Sequence, residues 1–332
     1  MLSSLTTTSL IILFLFTSSI LASPLIPRQA TNELPADHLL SLDDINTNVG
    51  KSIIPDAFHV DPLFGDTGLD QRTVYIAIAA SLLRLARLPP DAEISPHTFN
   101  IRGIIIEIHG GAAGFAPIRS IQASFGLHEI IRAMYTTHTF NAGNFLMYER
   151  DQAIGFITFR KRDQGVDDSI TPTLNNYAEY LEPQWGNQIV DYEFFIPFCS
   201  MTTLLSRVPE AHRSRAWPLP GPTLKDFIPS WNLDVIVLSG TQLTQRDIVG
   251  IVEHSLNNVI DQPADAPVKE LIQTLNVKDN ADAIVATWAL HLLATPPELQ
   301  KPYVQPPQTP EMHAIGEEVN RQNPELFFPD AS

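Results

Sequence analysis

The run RGIIIEIHGGAAGF, residues 102–115, places His109, Gly110 and Gly111 directly after a β-branched stretch. A His-Gly-Gly turn at the end of a strand is one way that esterases present backbone N–H groups to a developing oxyanion. Such a loop needs a nucleophile, and two serines are candidates. Ser124 lies in QASFGL, and Ser239 ends the stretch VIVLSG. Neither sits in the G-x-S-x-G elbow that exposes a nucleophile at a strand-to-helix turn, and the alternating β-α-β pattern of that fold is absent. The simpler expectation is that the glycines serve a tight turn that needs positive φ.

Other chemistry-bearing residues meet similar objections. HEIIR, residues 128–132, is one residue short of the zinc-binding H-E-x-x-H. The second ligand position holds Arg132, whose charge repels a cation, so no zinc site is expected there. His59, Asp61 and Asp70 have the types for acid–base work or metal binding, and Glu107 with Glu149 could form a carboxylate pair of the glycosidase kind. Polar residues on a solvated sheet face explain them as well. His254 and His291 lie among apolar neighbours and read as core-edge residues. Phe194, Phe195 and Trp231 could line an apolar pocket for a small molecule. No phosphate-binding glycine motif occurs, and no cofactor or metal is expected.

The ends of the chain say where it goes. Residues 10–16 form a short apolar block that closes in small residues around Ala22, as a secretory signal peptide does. The block is shorter than the roughly 20 residues of a membrane span. Pro27-Arg28 resembles a processing site for a protease that cuts after a basic residue. An extracellular protein with no membrane span after processing is expected. The formal net charge of −16 disfavours nucleic acid and anionic membranes as partners. An extracellular protein, glycan or small molecule fits better. The lone Cys199 precludes an intramolecular disulfide, and its apolar surroundings suggest a buried thiol. No Asn-x-Ser/Thr sequon occurs.

Apolar periodicity predicts helices over 70–88, 126–137 and 244–260, with Thr244 and Asp247 as an N-terminal capping pair. Helices are also expected over 267–275 and 281–294. Strands are expected over 99–109, 140–149, 153–161, 187–198 and 231–240, with the second and third of these as a hairpin. An irregular proline-rich loop is expected over 209–229. The fold class that follows is α+β, in two lobes of small, mostly antiparallel sheet with packed helices. The boundaries are a signal peptide over 1–22, a propeptide or flexible segment over 23–69, a first lobe over 70–163, a linker over 164–182, a second lobe over 183–300 and a proline-rich tail over 301–332. GIIIEIHG followed by FGLHEIIRAMYTT parallels LDVIVLSG followed by LTQRDIVGIVEHSL, which suggests a diverged internal duplication.

Gly126-Leu127, Phe145, Ile154-Gly155 and Ile157 stand at the helix entry, the strand anchor and the final strand of a strand-helix-strand-strand module. In these positions the chain resembles a family of uncharacterised fungal secreted proteins, over about a quarter of its length. The resemblance implies secretion and fungal origin, and no activity. The function expected is therefore a non-catalytic binding or structural role, with an esterase-like serine hydrolase using the His109–Gly111 loop and Ser124 or Ser239 as the alternative.

Overall fold

The computed structural model describes residues 38–47, 53–110, 115–162, 178–180, 184–190, 195–218, 223–225, 231–237, 243–262, 268–277 and 280–292. They belong to one compact unit, Thr31–Ser332. The segment expected as signal peptide, part of the expected propeptide, residues 164–177 and 181–182 of the expected linker and the expected 301–332 tail lie outside the described residues. The elements run α1 (Leu42–Thr47), β1 (Phe58–Gly68), α2 (Gln71–Arg87), β2 (His97–Ile101), β3 (Ile104–His109), α3 (Ser120–Thr137), β4 (Asn141–Glu149) and β5 (Gln152–Lys161). They continue with β6 (Ala178–Tyr180), β7 (Gln184–Val190), α4 (Phe195–Ser206), β8 (Thr223–Lys225), β9 (Trp231–Val237), α5 (Gln245–Ile260), β10 (Val268–Val277) and β11 (Asn280–Leu292).

The fold is α+β. A five-stranded antiparallel sheet has the order β1-β4-β5-β3-β2, and a second sheet has the order β6-β10-β11-β9-β8 with β7 also on β10. Helices α2 and α3 cover one face of the first sheet, α4 and α5 pack on α2, and strands of the second sheet lie against α4 and α5. The order of layers is sheet, helices, helices, sheet. One contiguous apolar core joins residues of the first sheet to all four long helices. The two expected lobes thus share their core, because α2 is apolar around most of its circumference and needs cover on two sides.

Local chemistry explains the elements that match expectation. Asp70 caps α2 by accepting from the Thr73 amide at 2.8 Å. At α5 the Thr244 amide donates to Asp247 Oδ2 at 2.6 Å, and the Asp247 amide donates back to Thr244 Oγ1 at 3.4 Å. β4 and β5 are joined through Arg150 and Asp151, whose φ values of 50° and 62° suit a two-residue hairpin. α3 begins before Gly126 and runs through it. Gly126 is held close to the sheet, where an added Cβ would lie 2.6 Å from Met147 Sδ.

Several expectations are corrected. The single strand over 99–109 is a hairpin, β2 and β3, turned at Arg102 and Gly103 with φ of 48° and 78°. Ile101 directly before the turn and Ile104–Ile106 directly after it hide it from a periodicity argument. The strand over 187–198 ends at Val190, and Phe195 opens α4. This helix is buried along its whole length, so no polar face betrays its period. The helices over 267–275 and 281–294 are the strands β10 and β11. Lys, Glu, Leu, Gln and Ala favour helix locally, but cross-strand pairing on both sides decides β-structure in a sheet interior. The irregular loop over 209–229 contains one turn of 3-10 helix, Glu210–His212, and the short strand β8. The stretch expected as flexible up to residue 69 supplies α1 and the edge strand β1, which pairs with β4 from Phe58↔Glu149 to Gly68↔Asn141. Within the expected linker, β6 pairs with β10.

The N-terminal stretch is tied in by a buried cation. Arg207 Nε donates to the His38 carbonyl at 2.9 Å, and its Nη1 donates to the Ile53 carbonyl at 2.8 Å. The Leu40 amide donates to the Arg207 carbonyl at 3.1 Å. The fully buried His38 ring lies edge-on to Phe125, with Nε2 3.3 Å from Glu149 Oε1.

Candidate functional site

Two polar constellations emerge, one on each side of the α2–α3 layer. The first lies within the helices. His128 on α3 faces Ser200 on α4, with Nε2 and Oγ 2.9 Å apart. Glu129 Oε1 is 3.9 Å from His128 Nδ1 and 3.3 Å from Arg132 Nη1. Serine, imidazole and carboxylate in series are the parts of a charge-stabilised nucleophile. Burial opposes the charge of Glu129, but the neighbouring His128 imidazole and the charge of Arg132 outweigh it and hold the carboxyl below its ordinary value. All three residues are sealed, with Ser200 0%, His128 2% and Glu129 5% exposed. Ser200 lies past the first turn of α4, where backbone N–H groups are taken by the helix.

The second constellation is on the face of the first sheet that points away from the helices. Leu146, Tyr148, Ala153 and Phe156 form a small second core there, with Leu63 and Phe115 packed against it. His59 stacks on Tyr148 with ring centres 5.0 Å apart, and His109 stacks on Phe156 at 4.4 Å. Glu107 pairs with Arg160, and its Oε2 lies 3.6 Å from His109 Nε2. The nearby His109 imidazole, aided by the Arg160 guanidinium, holds the Glu107 carboxyl below its ordinary value although partial burial works against it. Burial, with the charge of Asp61 nearby, pushes the Tyr148 hydroxyl up.

A pH dependence follows from Glu107. Its folded value lies below the ordinary 4.5, so its contribution is present at neutral pH and is lost as pH falls through that folded value. Glu107→Gln should therefore flatten the acid limb of stability between about pH 5 and pH 3, by less than about 1 kcal/mol because the pair is partly solvated. Urea midpoints measured against pH for both proteins check this, and parallel curves would refute it.

The candidate residues are scattered. His109 ends β3 on the outer sheet face, and the buried Gly110 follows it against Ile118 and the Ala116 carbonyl, where no Cβ fits. Gly111 and Ser239 lie outside the described residues, as does Phe194. Ser124 is fully buried in α3, and its hydroxyl donates to the Ser120 carbonyl at 3.0 Å. The structure therefore sets Ser124 in the helix layer and His109 on the other side of the sheet. The carboxylates Glu107 and Glu149 are not neighbours, since β5 runs between β3 and β4. They also face opposite ways, with Glu149 accepting from Gln122 of α3 at 2.8 Å and Glu107 held by Arg160. Phe195 packs on Tyr75 in the core, with ring centres 6.2 Å apart. Cys199 is a buried free thiol. Among the described residues, no three His, Cys, Asp or Glu side chains are grouped to hold a metal, and no helix is long and apolar enough to cross a membrane.

The pair that sequence reasoning missed is Ser200 with His128. A signal for it exists. His128 interrupts the inward apolar positions of α3 and Ser200 lies in the aromatic-rich segment of α4, and buried polar groups need partners. No family model matches the chain, and no curated protein or solved structure is similar to it.

Proposed function

We propose that this is a secreted protein with a non-catalytic role, binding an extracellular protein, glycan or small molecule or serving as a structural component. The observation that supports this reading most is the seal around the Ser200–His128 contact. Ser200 Oγ meets His128 Nε2 at 2.9 Å in a place that no substrate reaches. A hydrogen-bonded pair in that position satisfies two buried polar groups and ties α3 to α4. The apolar block and small residues at the N-terminus support export. The net charge of −16 supports a partner other than nucleic acid.

The same 2.9 Å contact favours a second reading, a hydrolase of the serine type whose nucleophile is uncovered by movement of α4. An esterase-like site at the His109–Gly111 loop, with Ser239 as nucleophile, belongs to the same class. Intact mass after incubation with a fluorophosphonate probe separates the readings. The expected result is an unshifted mass. A shift of one probe would overturn the non-catalytic reading, and peptide mapping to Ser200, Ser124 or Ser239 would identify the site.

A further inference from the structure

We infer that the chain is a dimer fused into one polypeptide: two modules of the same topology packed helix layer against helix layer, so that the partner fitted by the apolar α2–α3 face is a second such module. The inference is independent of whether the protein is catalytic. It rests on the order of elements. The first module runs β1, α2, β2, β3, α3, β4, β5, and the second runs β7, α4, β8, β9, α5, β10, β11. The first sheet is ordered β1-β4-β5-β3-β2. Substituting each strand by its counterpart gives β7-β10-β11-β9-β8, which is the order of the second sheet, again antiparallel throughout. Even the edge irregularity has a counterpart. β1 slips register between Phe64 and Gly68, and the equivalent edge is broken into β6, opposite Leu275–Val277, and β7, opposite Val268–Ile272. Five strands can be ordered in dozens of ways, so a term-by-term match is informative.

The weak sequence repeat falls on the same correspondence. IIIEIH lies on β3 and LDVIV on β9, and the helical segments that follow in sequence lie on α3 and α5. These are equivalent elements in the two modules.

The surface between the modules has the make-up of an obligate interface, apolar with a few buried polar contacts that fix register. Arg213 Nη1 donates to the Ala86 carbonyl at 3.0 Å, and Gln245 Nε2 donates to the same carbonyl at 3.1 Å and to that of Leu205 at 3.0 Å. The His128–Ser200 contact is a third pin, from α3 to α4. Each requires one alignment of the helices, because a buried polar group displaced by a turn loses its partner. The serine–histidine pair thereby gains a role that its burial suits.

The full-length protein can test this. A site-specific protease sequence is inserted in the 163–177 connection and cut after folding. The cut protein is unfolded in urea and refolded by dilution. The expected result is a 1:1 complex of the two fragments after cutting and again after refolding, with a urea midpoint that rises with protein concentration. Fragments that separate on cutting, or that each refold alone as monomers, would overturn the inference. Should the cut chain fail to refold, a permuted chain decides, with residues 178–300 placed before residues 31–162 through a flexible linker. It is expected to unfold in one transition with native circular dichroism, and a permuted chain lacking that transition would overturn the inference.

Discussion

Arg213→Ala is expected to lower stability by about 3–5 kcal/mol, the range for breaking a buried charged network. The guanidinium is 1% exposed and ends among carbonyls. Nε donates to Val208 at 3.1 Å, Nη1 to Ala86 at 3.0 Å and Nη2 to Ser206 at 3.4 Å. Two of these acceptors belong to the last turns of α2 and α4, whose final carbonyls have no partners inside their own helices. One side chain thus closes two helix ends in a place that water does not reach. Burial pushes its pKa down to about 10, and Glu210, with Oε2 3.6 Å from Nε, works in the opposite direction. Removing the side chain leaves the Val208 and Ser206 carbonyls without this donor in a desolvated place, at about 1–3 kcal/mol each, while the Ala86 carbonyl keeps the Gln245 amide at 3.1 Å. Arg213→Met keeps most of the volume and should lose nearly as much. Urea midpoints with unchanged m-values measure the effect. A loss below about 1 kcal/mol in both variants would show that the carbonyls find other donors.

The second large effect is expected at Gly143. An added Cβ there would lie 2.5 Å from the Leu63 carbonyl oxygen and 3.1 Å from the Phe64 Cα. Both are backbone atoms of β1, so no side chain can turn aside. Gly143→Ala must push β1 away from β4 and should cost about 3 kcal/mol, at the upper end for overpacking. Gly68, on the same strand pair, has nothing within 4 Å of its would-be Cβ, so Gly68→Ala is the control and should change little. Amide exchange should accelerate over Phe58–Gly68 in the Gly143 variant and stay slow in β5. Equal protection of β1 in both variants would refute the steric argument.

How much of this could be seen in the sequence differs between the two halves. α2, α3, β4 and β5 carry their period openly, and Thr244 with Asp247 marks the start of α5 as expected. In the second half the local and global preferences disagree. Val268–Val277 holds Lys, Glu, Leu and Gln, which favour helix, and only its neighbours β6, β7 and β11 make it a strand. Phe195–Ser206 fails in the other direction, since an aromatic run without a polar face looks like a strand until its burial on all sides is known. The polar contacts were beyond reach for a different reason. His128 and Ser200 are 72 residues apart, and Arg207 meets His38 across 169. Nothing local records such meetings, although a polar residue at a buried helix position needs a partner from elsewhere in the chain.

The place of β1 has a consequence for the order in which the molecule assembles. β2 with β3 and β4 with β5 are joined by two-residue turns, so both pairs can close within microseconds of becoming available. β1 has no such neighbour in sequence. α2, the β2–β3 hairpin and α3 stand between it and β4 in sequence, so their pairing needs a long closure, which is slow. β1 is therefore expected to be inserted late, with Arg207 fastening His38 and Ile53 beside it. Until then the edge of β4 stands open, its amides and carbonyls ready to pair with β4 of another chain. Slow closure of this one strand should set the yield of refolding at high concentration.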